Sequence, residues 1–123
     1  MPVVKEMNDV VGLGQQMQSD EDGAVVLLNV FTVDPKDEDA LLESWAHDAA
    51  FMKEQPGYIS TQMHKAVGGS STYLNYAMWE SIEQFRSAFT NPEFQQRIGR
   101  YPDSATVSPH LFKKLGVPGF CVD

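Results

Sequence analysis

A strand that runs directly into a helix is the feature that most constrains the fold of this sequence. Residues 72–79 have the composition of a strand, and the side chains of a strand alternate between its two faces. One face of the predicted strand therefore carries Tyr73, Asn75, Ala77 and Trp79. Ser81 then opens Ser-Ile-Glu-Gln, a capping-box pattern that starts a helix. An asparagine among aromatic residues is unfavourable in a strand and costly if it is buried without partners, so Asn75 indicates a functional reason.

Three further segments have the composition of strands. They are bounded by Gly, Pro, Asp and Ser, the residues that mark turns. The predicted strands are residues 24–33, 58–66, 72–79 and 110–115. The second and third are joined by Gly-Gly-Ser-Ser and therefore form a hairpin.

Helical patterns fill the intervals between the strands. A helix of about 18 residues begins at Asp34-Pro35, with acidic residues at its positive end, and stops at Gln-Pro-Gly. A second helix covers residues 82–89, and a short third one begins at Asn91-Pro92. The order β-α-β-β-α-β predicts an α+β, ferredoxin-like fold, in which an antiparallel sheet carries the helices on one face.

One domain, with an arm before it and a tail after it, accounts for the length of the chain. A chain of 123 residues suits a single domain, which we place at residues 24–116. Residues 1–23 are predicted to be an N-terminal arm, because they are polar and end in the acidic turn Ser-Asp-Glu-Asp-Gly. Residues 117–123 are predicted to be a C-terminal tail.

The second face of the sheet predicts a homodimer. On the first strand, Val26, Leu28 and Val30 lie on the face opposite Asn29. Large exposed apolar patches are unusual in monomers. Packing this face against the same face of a second copy would bury it and produce a dimeric α/β barrel.

Composition excludes several classes of partner. With 17 acidic and 9 basic residues the net charge is −8, so neither nucleic acid nor an anionic membrane is an expected partner. The single cysteine cannot form an internal disulfide, which fits a reducing cytoplasm. The three histidines and the cysteine lack the spacing of metal ligands, so no metal is expected.

Three segments carry a resemblance to a known family. They are Leu-Asn-Val-Phe-Thr-Val at residues 28–33, Gln-Pro-Gly-Tyr at residues 55–58, and residues 73–81. Over roughly residues 24–115 the chain resembles the antibiotic biosynthesis monooxygenase family, and within it the cofactor-independent anthrone and quinol monooxygenases of aromatic polyketide pathways. The resemblance implies a dimeric α/β barrel, a small aromatic substrate, O2 as co-substrate and no cofactor.

The resemblance also implies site residues. In the anthrone-oxidising members, two strand asparagines and a strand tryptophan line the active cleft, and Asn29, Asn75 and Trp79 match them. We therefore predict that these three are catalytic: the amides stabilise an oxyanion and the indole provides an apolar wall. The predicted substrate-binding residues are Tyr73, Phe31, Trp45, Phe85, His64 and Arg97.

Two departures from the family pattern limit what the resemblance implies. Haem-degrading members use a tryptophan and a histidine on the second helical segment, where this chain has residues such as Ala88 and Ile98, so haem degradation is not implied. Some anthrone oxidisers place an arginine there. Arg97 and Arg100 are near that place without a clear match, and the aromatic position is Phe85 where one subgroup has tyrosine. A proton relay on this segment is left open.

The histidines have alternative interpretations. His64 is either a general base or a side chain on a polar sheet face. His47, next to Asp48, either pairs at the surface or assists deprotonation at the lip of the cleft, and His110 is assigned no role.

Other functions fit the same residues. A strand tryptophan such as Trp79 is equally typical of a packed core. The two asparagines could instead provide hydrogen bonds to backbone groups that lack a partner in the sheet. The chain would then be a non-catalytic dimeric barrel that binds a small apolar metabolite. A third hypothesis is a related barrel isomerase or cyclase without oxygen chemistry.

Overall fold

The computed structural model describes residues 2–122, which form one five-stranded sheet with helices packed on it. Residues 1 and 123, the ends of the predicted arm and tail, lie outside the described residues. The strand order is β1-β5-β2-β4-β3, with β1 parallel to β5 and every other neighbouring pair antiparallel. The strands are β1 (Val3–Val4), β2 (Val25–Thr32), β3 (Tyr58–Lys65), β4 (Thr72–Trp79) and β5 (Thr106–Phe112).

The helices begin where capping chemistry predicts. In α3, Ser81 Oγ accepts a hydrogen bond of 3.1 Å from the backbone N–H of Gln84, and in α4 the side chain of Asn91 accepts one of 2.9 Å from Glu93. A 3₁₀ turn at Pro35–Asp37 leads into α2. The helices are α1 (Leu13–Gln16), α2 (Glu38–Met52), α3 (Ile82–Phe89) and α4 (Pro92–Ile98).

The α+β, ferredoxin-like class is confirmed. From β2 onward the elements follow β-α-β-β-α-β, with α3 and α4 together filling the second helical interval. The predicted hairpin is present, because β3 and β4 pair antiparallel across residues 66–71. Gly57 closes the turn before β3 with φ +91°, a conformation in which a Cβ would lie 2.5 Å from the Gln84 side chain.

The predicted position of the last strand was wrong. Strand β5 begins at Thr106 rather than at residue 110 and ends at Phe112 rather than at residue 115. The carbonyls of Ala105 and Val107 accept hydrogen bonds from β1, so the odd-numbered residues of β5 face that edge of the sheet. The backbone nitrogen of Pro109 faces the same edge, at a point beyond the end of β1. A proline there costs the sheet no hydrogen bond, and it therefore does not break the strand.

The segment before residue 24 packs on the domain, which its polar composition did not indicate. Val3 N donates to Ala105 O and Lys5 N donates to Val107 O, both at 2.9 Å. Leu13 and Met17, exposed by only 5% and 8%, join the apolar core around Trp79. The predicted boundary at residue 24 stays a prediction, but the arm is in contact with the rest of the chain.

The core consists of two apolar clusters on the helix-covered face of the sheet. The first surrounds Trp79 and Phe85, and the second surrounds Phe31, Leu41 and Tyr101. Residues of both clusters line the cavities described below. Within residues 2–122, no helix combines the length and hydropathy that crossing a bilayer requires.

Candidate functional site

A cleft lies between the inner face of the sheet and the helices. It consists of two adjoining cavities of about 70 Å³ and about 310 Å³. The two cavities share a wall, to which Asn29, Phe31, Asp48 and Tyr101 contribute. The lining is mainly aliphatic and aromatic with few polar groups, which is typical of small-molecule sites.

The pairing of β2 with β4 places the two predicted asparagines opposite each other. Asn29 and Asn75 are register partners, and directly opposed side chains project to the same face, so both line the smaller cavity. Asn29 Oδ1 accepts a hydrogen bond of 3.0 Å from the backbone N–H of Ser108, which fixes its amide orientation. Asn75 Oδ1 accepts one of 2.6 Å from the hydroxyl of Thr61.

Each amide group therefore has its oxygen occupied and its nitrogen available. Among residues 2–122, Nδ2 of neither Asn29 nor Asn75 has a hydrogen-bond partner. Two N–H donors on adjacent strands are thus available in the cleft. Such preorganised donors stabilise negative charge on a bound oxygen.

Trp79 forms part of the core and part of the cleft wall at once. Its side chain is 1% exposed, with edge-on ring contacts to Tyr58 at 5.7 Å and to Phe85 at 5.6 Å between centroids. It also lines the smaller cavity, two residues beyond Ala77 on the same face of β4. The small side chain of Ala77 leaves room between the indole and the Asn75 amide.

Three of the six predicted substrate-binding residues also line the cleft. Phe31 contributes to both cavities, Trp45 of α2 to the smaller one and Phe85 of α3 to the larger one. Together with Trp79 they supply flat apolar surfaces that suit a polycyclic aromatic ligand.

The other three predicted residues lie elsewhere. Tyr73 packs in the second core cluster and donates a hydrogen bond of 2.6 Å to Glu38 Oε1. His64 is exposed on the outer sheet face, opposite Leu74, with its Nδ1 3.3 Å from the Leu74 carbonyl oxygen. Because period-two alternation sends His64 away from the helices, we leave it out of the proposed site.

Arg97 of α4 is held against α2. Its guanidinium donates to His47 O at 2.7 Å and to Glu93 Oε2 at 3.0 Å, and it stacks 5.5 Å from the centroid of Phe51. These contacts occupy the group outside both cavities, so it too is left out of the proposed site. The interpretation of His47 as a residue paired at the surface fits its contact with Arg97.

A buried carboxyl group in the cleft wall was missed. Asp48 of α2 is 7% exposed and lines both cavities. Its Oδ2 accepts a hydrogen bond of 2.7 Å from the hydroxyl of Tyr101, whereas its Oδ1 has no partner within residues 2–122. Burial raises the pKa of Asp48 to about 6, although the Tyr101 hydrogen bond and the charges of Arg97 and Arg100 act to lower it.

The sequence did contain a signal for Asp48. Leu41, Trp45 and Met52 form the apolar stripe of α2, and Asp48 lies three residues after Trp45 and four before Met52. That spacing places a carboxyl group on the buried face of a helix. Its neighbour His47, to which the sequence analysis gave the weight, is exposed.

The N-terminal arm closes the larger cavity. Val4, Leu13 and Met17 contribute to its wall, beside Phe89 of α3 and Pro109 of β5. In the part of the chain that the structure describes, no group of three or more His, Cys, Asp or Glu side chains is arranged to hold a metal ion.

Comparison with known proteins gives the family. The model of the family described as antibiotic biosynthesis monooxygenase matches residues 24–99, which is more than half of the chain. The chain belongs to the antibiotic biosynthesis monooxygenase family. No curated protein matches it significantly.

Two solved structures illustrate the likeness. SnoaB, a cofactor-independent oxygenase from Streptomyces nogalater, is 25% identical with a TM-score of 0.71, over 79% of this chain and 98% of SnoaB. A suspected monooxygenase from Shewanella loihica PV-4 is 28% identical with a TM-score of 0.68, over 79% of this chain and 99% of that protein. The match to the antibiotic biosynthesis monooxygenase family begins at residue 24, so the wall built by the arm lies outside it.

Proposed function

We propose that this protein is a cofactor-independent monooxygenase that oxidises an anthrone- or quinol-like polycyclic aromatic with O2 to a quinone. The observation that carries the proposal is the opposed pair Asn29 and Asn75, whose amide oxygens are occupied and whose N–H groups are free in an apolar cleft. The likeness to SnoaB, a cofactor-independent oxygenase, supports the same reaction class.

The substrate supplies the electrons in this reaction. An ionised anthrone or hydroquinone is electron-rich and reduces O2 directly, so the protein has to favour the anion. Asn29 and Asn75 donate hydrogen bonds to the developing oxyanion without adding a group that titrates. The substrate carbanion bonds to O2, the resulting peroxide takes up a proton, and loss of water leaves the quinone carbonyl.

The apolar walls hold the ring system and exclude water. A cavity of about 310 Å³ is at the lower end of the range for small-molecule sites, which accommodates a few fused rings. Trp79 and Phe31 would pack against the rings, and Ala77 leaves space for the oxygen-bearing edge to reach the amides.

The outer sheet face supports a homodimer as part of the proposal. Tyr76 and Phe112 are about two-fifths exposed there, next to Leu28 and Val30. A second copy packed on this face would complete the α/β barrel that the resemblance implies. A cytoplasmic location stays a prediction from the single cysteine.

Oxygen uptake tests the proposal. Purified, chelator-treated protein is assayed with a panel of anthrones and hydroquinones, beside Asn75→Ala and Trp79→Phe. Loss of oxyanion donors costs about 10²-fold or more in turnover, so uptake above the spontaneous rate should fall to near background in Asn75→Ala. The control is Tyr76→Phe, an aromatic change on the outer face of the same strand, which should leave uptake unchanged.

The alternatives predict different outcomes of the same experiment. Saturable binding of a panel member without oxygen consumption would support the non-catalytic binding barrel and contradict the proposal. Product formation under anaerobic conditions would support an isomerase or cyclase. Uptake that is equal in wild type and Asn75→Ala would contradict the role of the asparagine pair.

A further inference from the structure

Asp48 is the one carboxyl group that borders both cavities and is buried within residues 2–122. Its side chain is 7% exposed, and it shares the wall between the cavities with Asn29. Tyr101, itself 6% exposed, donates its hydroxyl hydrogen to Oδ2 at 2.7 Å. Oδ1 is buried and has no hydrogen-bond partner among the described residues.

A purely structural role does not account for this arrangement. The Tyr101 hydroxyl needs a single acceptor, which a neutral amide would also supply, whereas an ionised carboxylate in an apolar wall is costly unless it is paired. Arg97 acts on Asp48 only through its charge, because its guanidinium is bound to His47 and Glu93. The free Oδ1 is therefore an acceptor without a structural partner.

We propose that Asp48 is the proton acceptor of the reaction, with Oδ1 taking the acidic proton of the substrate while Tyr101 holds Oδ2. This inference rests on the proposed function. The O–H or C–H bond of the bound quinol or anthrone breaks, its electron pair stays on the substrate, and the proton forms an O–H bond on Asp48. The resulting oxyanion lies against the N–H groups of Asn29 and Asn75, so the proton and the negative charge are received by different residues.

The same carboxyl group returns the proton later. After the carbanion bonds to O2, the peroxide oxygen takes the proton from Asp48, which is then ionised again. When Asp48 removes the remaining hydrogen of that carbon as a proton, the O–O bond breaks with loss of hydroxide, which Asp48 protonates to water. O2 is the only oxidant required, because one of its oxygen atoms enters the product and the other leaves as water.

The electrostatic environment matches this role. Burial raises the pKa of Asp48 to about 6, and the groups that act against this rise are the Tyr101 hydroxyl and the cations Arg97 and Arg100. Next to it on α2, His47 is exposed and bound to Arg97. An Asp with this pKa is ionised at neutral pH and is a stronger base than an ordinary carboxylate.

The pH dependence of kcat/KM tests the proposal. Oxygen uptake with an anthrone is measured from pH 5 to 9 for wild type, Asp48→Asn, Tyr101→Phe and the control Glu43→Gln, an exposed carboxyl group on the same helix. Wild type and Glu43→Gln should lose activity below about pH 6, and Asp48→Asn should lose about 10²- to 10⁴-fold together with that pH dependence. Tyr101→Phe should still lose activity at low pH, but the pH at which kcat/KM falls should be higher, because the hydrogen bond that lowers the pKa of Asp48 is gone.

Two further measurements separate catalysis from folding. Quenching of tryptophan fluorescence should show that Asp48→Asn still binds the anthrone within a few-fold of wild type. A hydroquinone that is already ionised at the assay pH bypasses the first proton transfer, so Asp48→Asn should lose less of the wild-type rate with it than with the anthrone. Unchanged activity and pH profile in Asp48→Asn, with wild type active, would overturn the role of Asp48 alone. Absence of uptake by wild type with every compound would overturn the proposed function and this inference together.

Discussion

Asn29 serves the sheet and the cleft at once. Its Oδ1 accepts a hydrogen bond from the backbone N–H of Ser108, whereas Oδ1 of Asn75 accepts one from the Thr61 hydroxyl, a group that can rotate. In the proposed reaction both amides would donate to the oxyanion, but their anchoring partners in the fold differ. This difference separates catalytic from structural effects.

Alanine at either asparagine should lower kcat/KM by about 10²-fold or more, because one oxyanion donor is lost. Asn29→Ala should also lower the free energy of unfolding by about 0.5–1.5 kcal/mol, because the side-chain hydrogen bond from the Ser108 N–H is lost, and Asn75→Ala should cost less because the Thr61 hydroxyl can rotate. Oxygen uptake and urea denaturation measure the two effects. An Asn29→Ala variant that is destabilised but fully active would show that this amide is only structural.

Asp48 should make the stability of the protein depend on pH. Its pKa is raised to about 6 in the folded state from an ordinary value of 3.8, so the folded state binds this proton more tightly than the unfolded state. Its contribution to stability is present below about pH 4 and is lost as the pH rises through 6, a total of about 3 kcal/mol.

The measurement is urea denaturation of wild type and Asp48→Asn at pH 4.5 and pH 8, with Glu43→Gln as control. Relative to wild type, Asp48→Asn should be more stable at pH 8 than at pH 4.5, because it lacks the ionisation that weakens the wild-type fold. A stability difference that does not change with pH would show that the pKa of Asp48 is not raised.

Among the elements, the arm protects the edge of the sheet. Beyond the end of β1, the Gln16 side chain takes over the hydrogen bonding of the β5 edge. Its Nε2 donates to Leu111 O and its Oε1 accepts from Leu111 N, each at 2.9 Å. Gln16 Nε2 also lies 3.1 Å from His110 Nε2. A side-chain amide thus satisfies an exposed strand edge, which otherwise invites pairing with other chains.

Gln16→Ala should destabilise the protein by about 1–3 kcal/mol, because both backbone groups of Leu111 lose their partner. The control is Gln18→Ala, whose side chain is exposed. Thermal denaturation compares the two, and light scattering detects association through the opened edge. Equal midpoints for the two variants would contradict the role of Gln16.

Elements with a strong local pattern could be predicted from the sequence, and elements that depend on distant contacts could not. The bounds of β4 and α3 follow from alternation and from the Ser81 cap, both of which are local. Strand β1 has two residues and exists only because β5 offers a free edge, so it leaves no periodic pattern. The start of β5 was missed because Pro109 leaves the sheet hydrogen bonds intact only where β1 no longer pairs with β5, and the sequence does not show where β1 ends.

The site divides in the same way. The opposed asparagines could be predicted because both lie on strands whose faces follow from alternation. Asp48 was missed because its burial depends on α2 packing over the sheet and on the Tyr101 hydroxyl, which is 53 residues away in sequence. Tyr73 was placed on the correct face, but its hydrogen bond to Glu38 holds it in the second core cluster.

At the scale of the whole molecule, the helices cover one sheet face and the other remains partly apolar. Tyr76 lies on the outer face of the interior strand β4 and is 41% exposed. The proposed dimer would bury this residue against a second copy, where a charged side chain is unfavourable. In a monomer the same position faces solvent, so a charged substitution there would leave the fold intact.

Wild type should therefore have about twice the chain mass of 13.7 kDa in sedimentation equilibrium, and Tyr76→Glu should be monomeric but folded. Val67→Glu places the same charge in the exposed hairpin turn and should remain dimeric. A wild-type mass of one chain at micromolar concentration would contradict the proposed dimer, and a dimeric Tyr76→Glu would place the interface elsewhere.

In the proposed reaction the protein transfers one oxygen atom from O2 to the substrate carbon. The most direct measurement is mass spectrometry of the product formed from an anthrone under ¹⁸O2, in H2¹⁶O and with chelator present. We predict one ¹⁸O atom in each new quinone carbonyl in wild type, and product at the spontaneous rate in Asn75→Ala. Enzyme-dependent product that carries only ¹⁶O in its new carbonyl, with free product shown not to exchange in that time, would contradict the account.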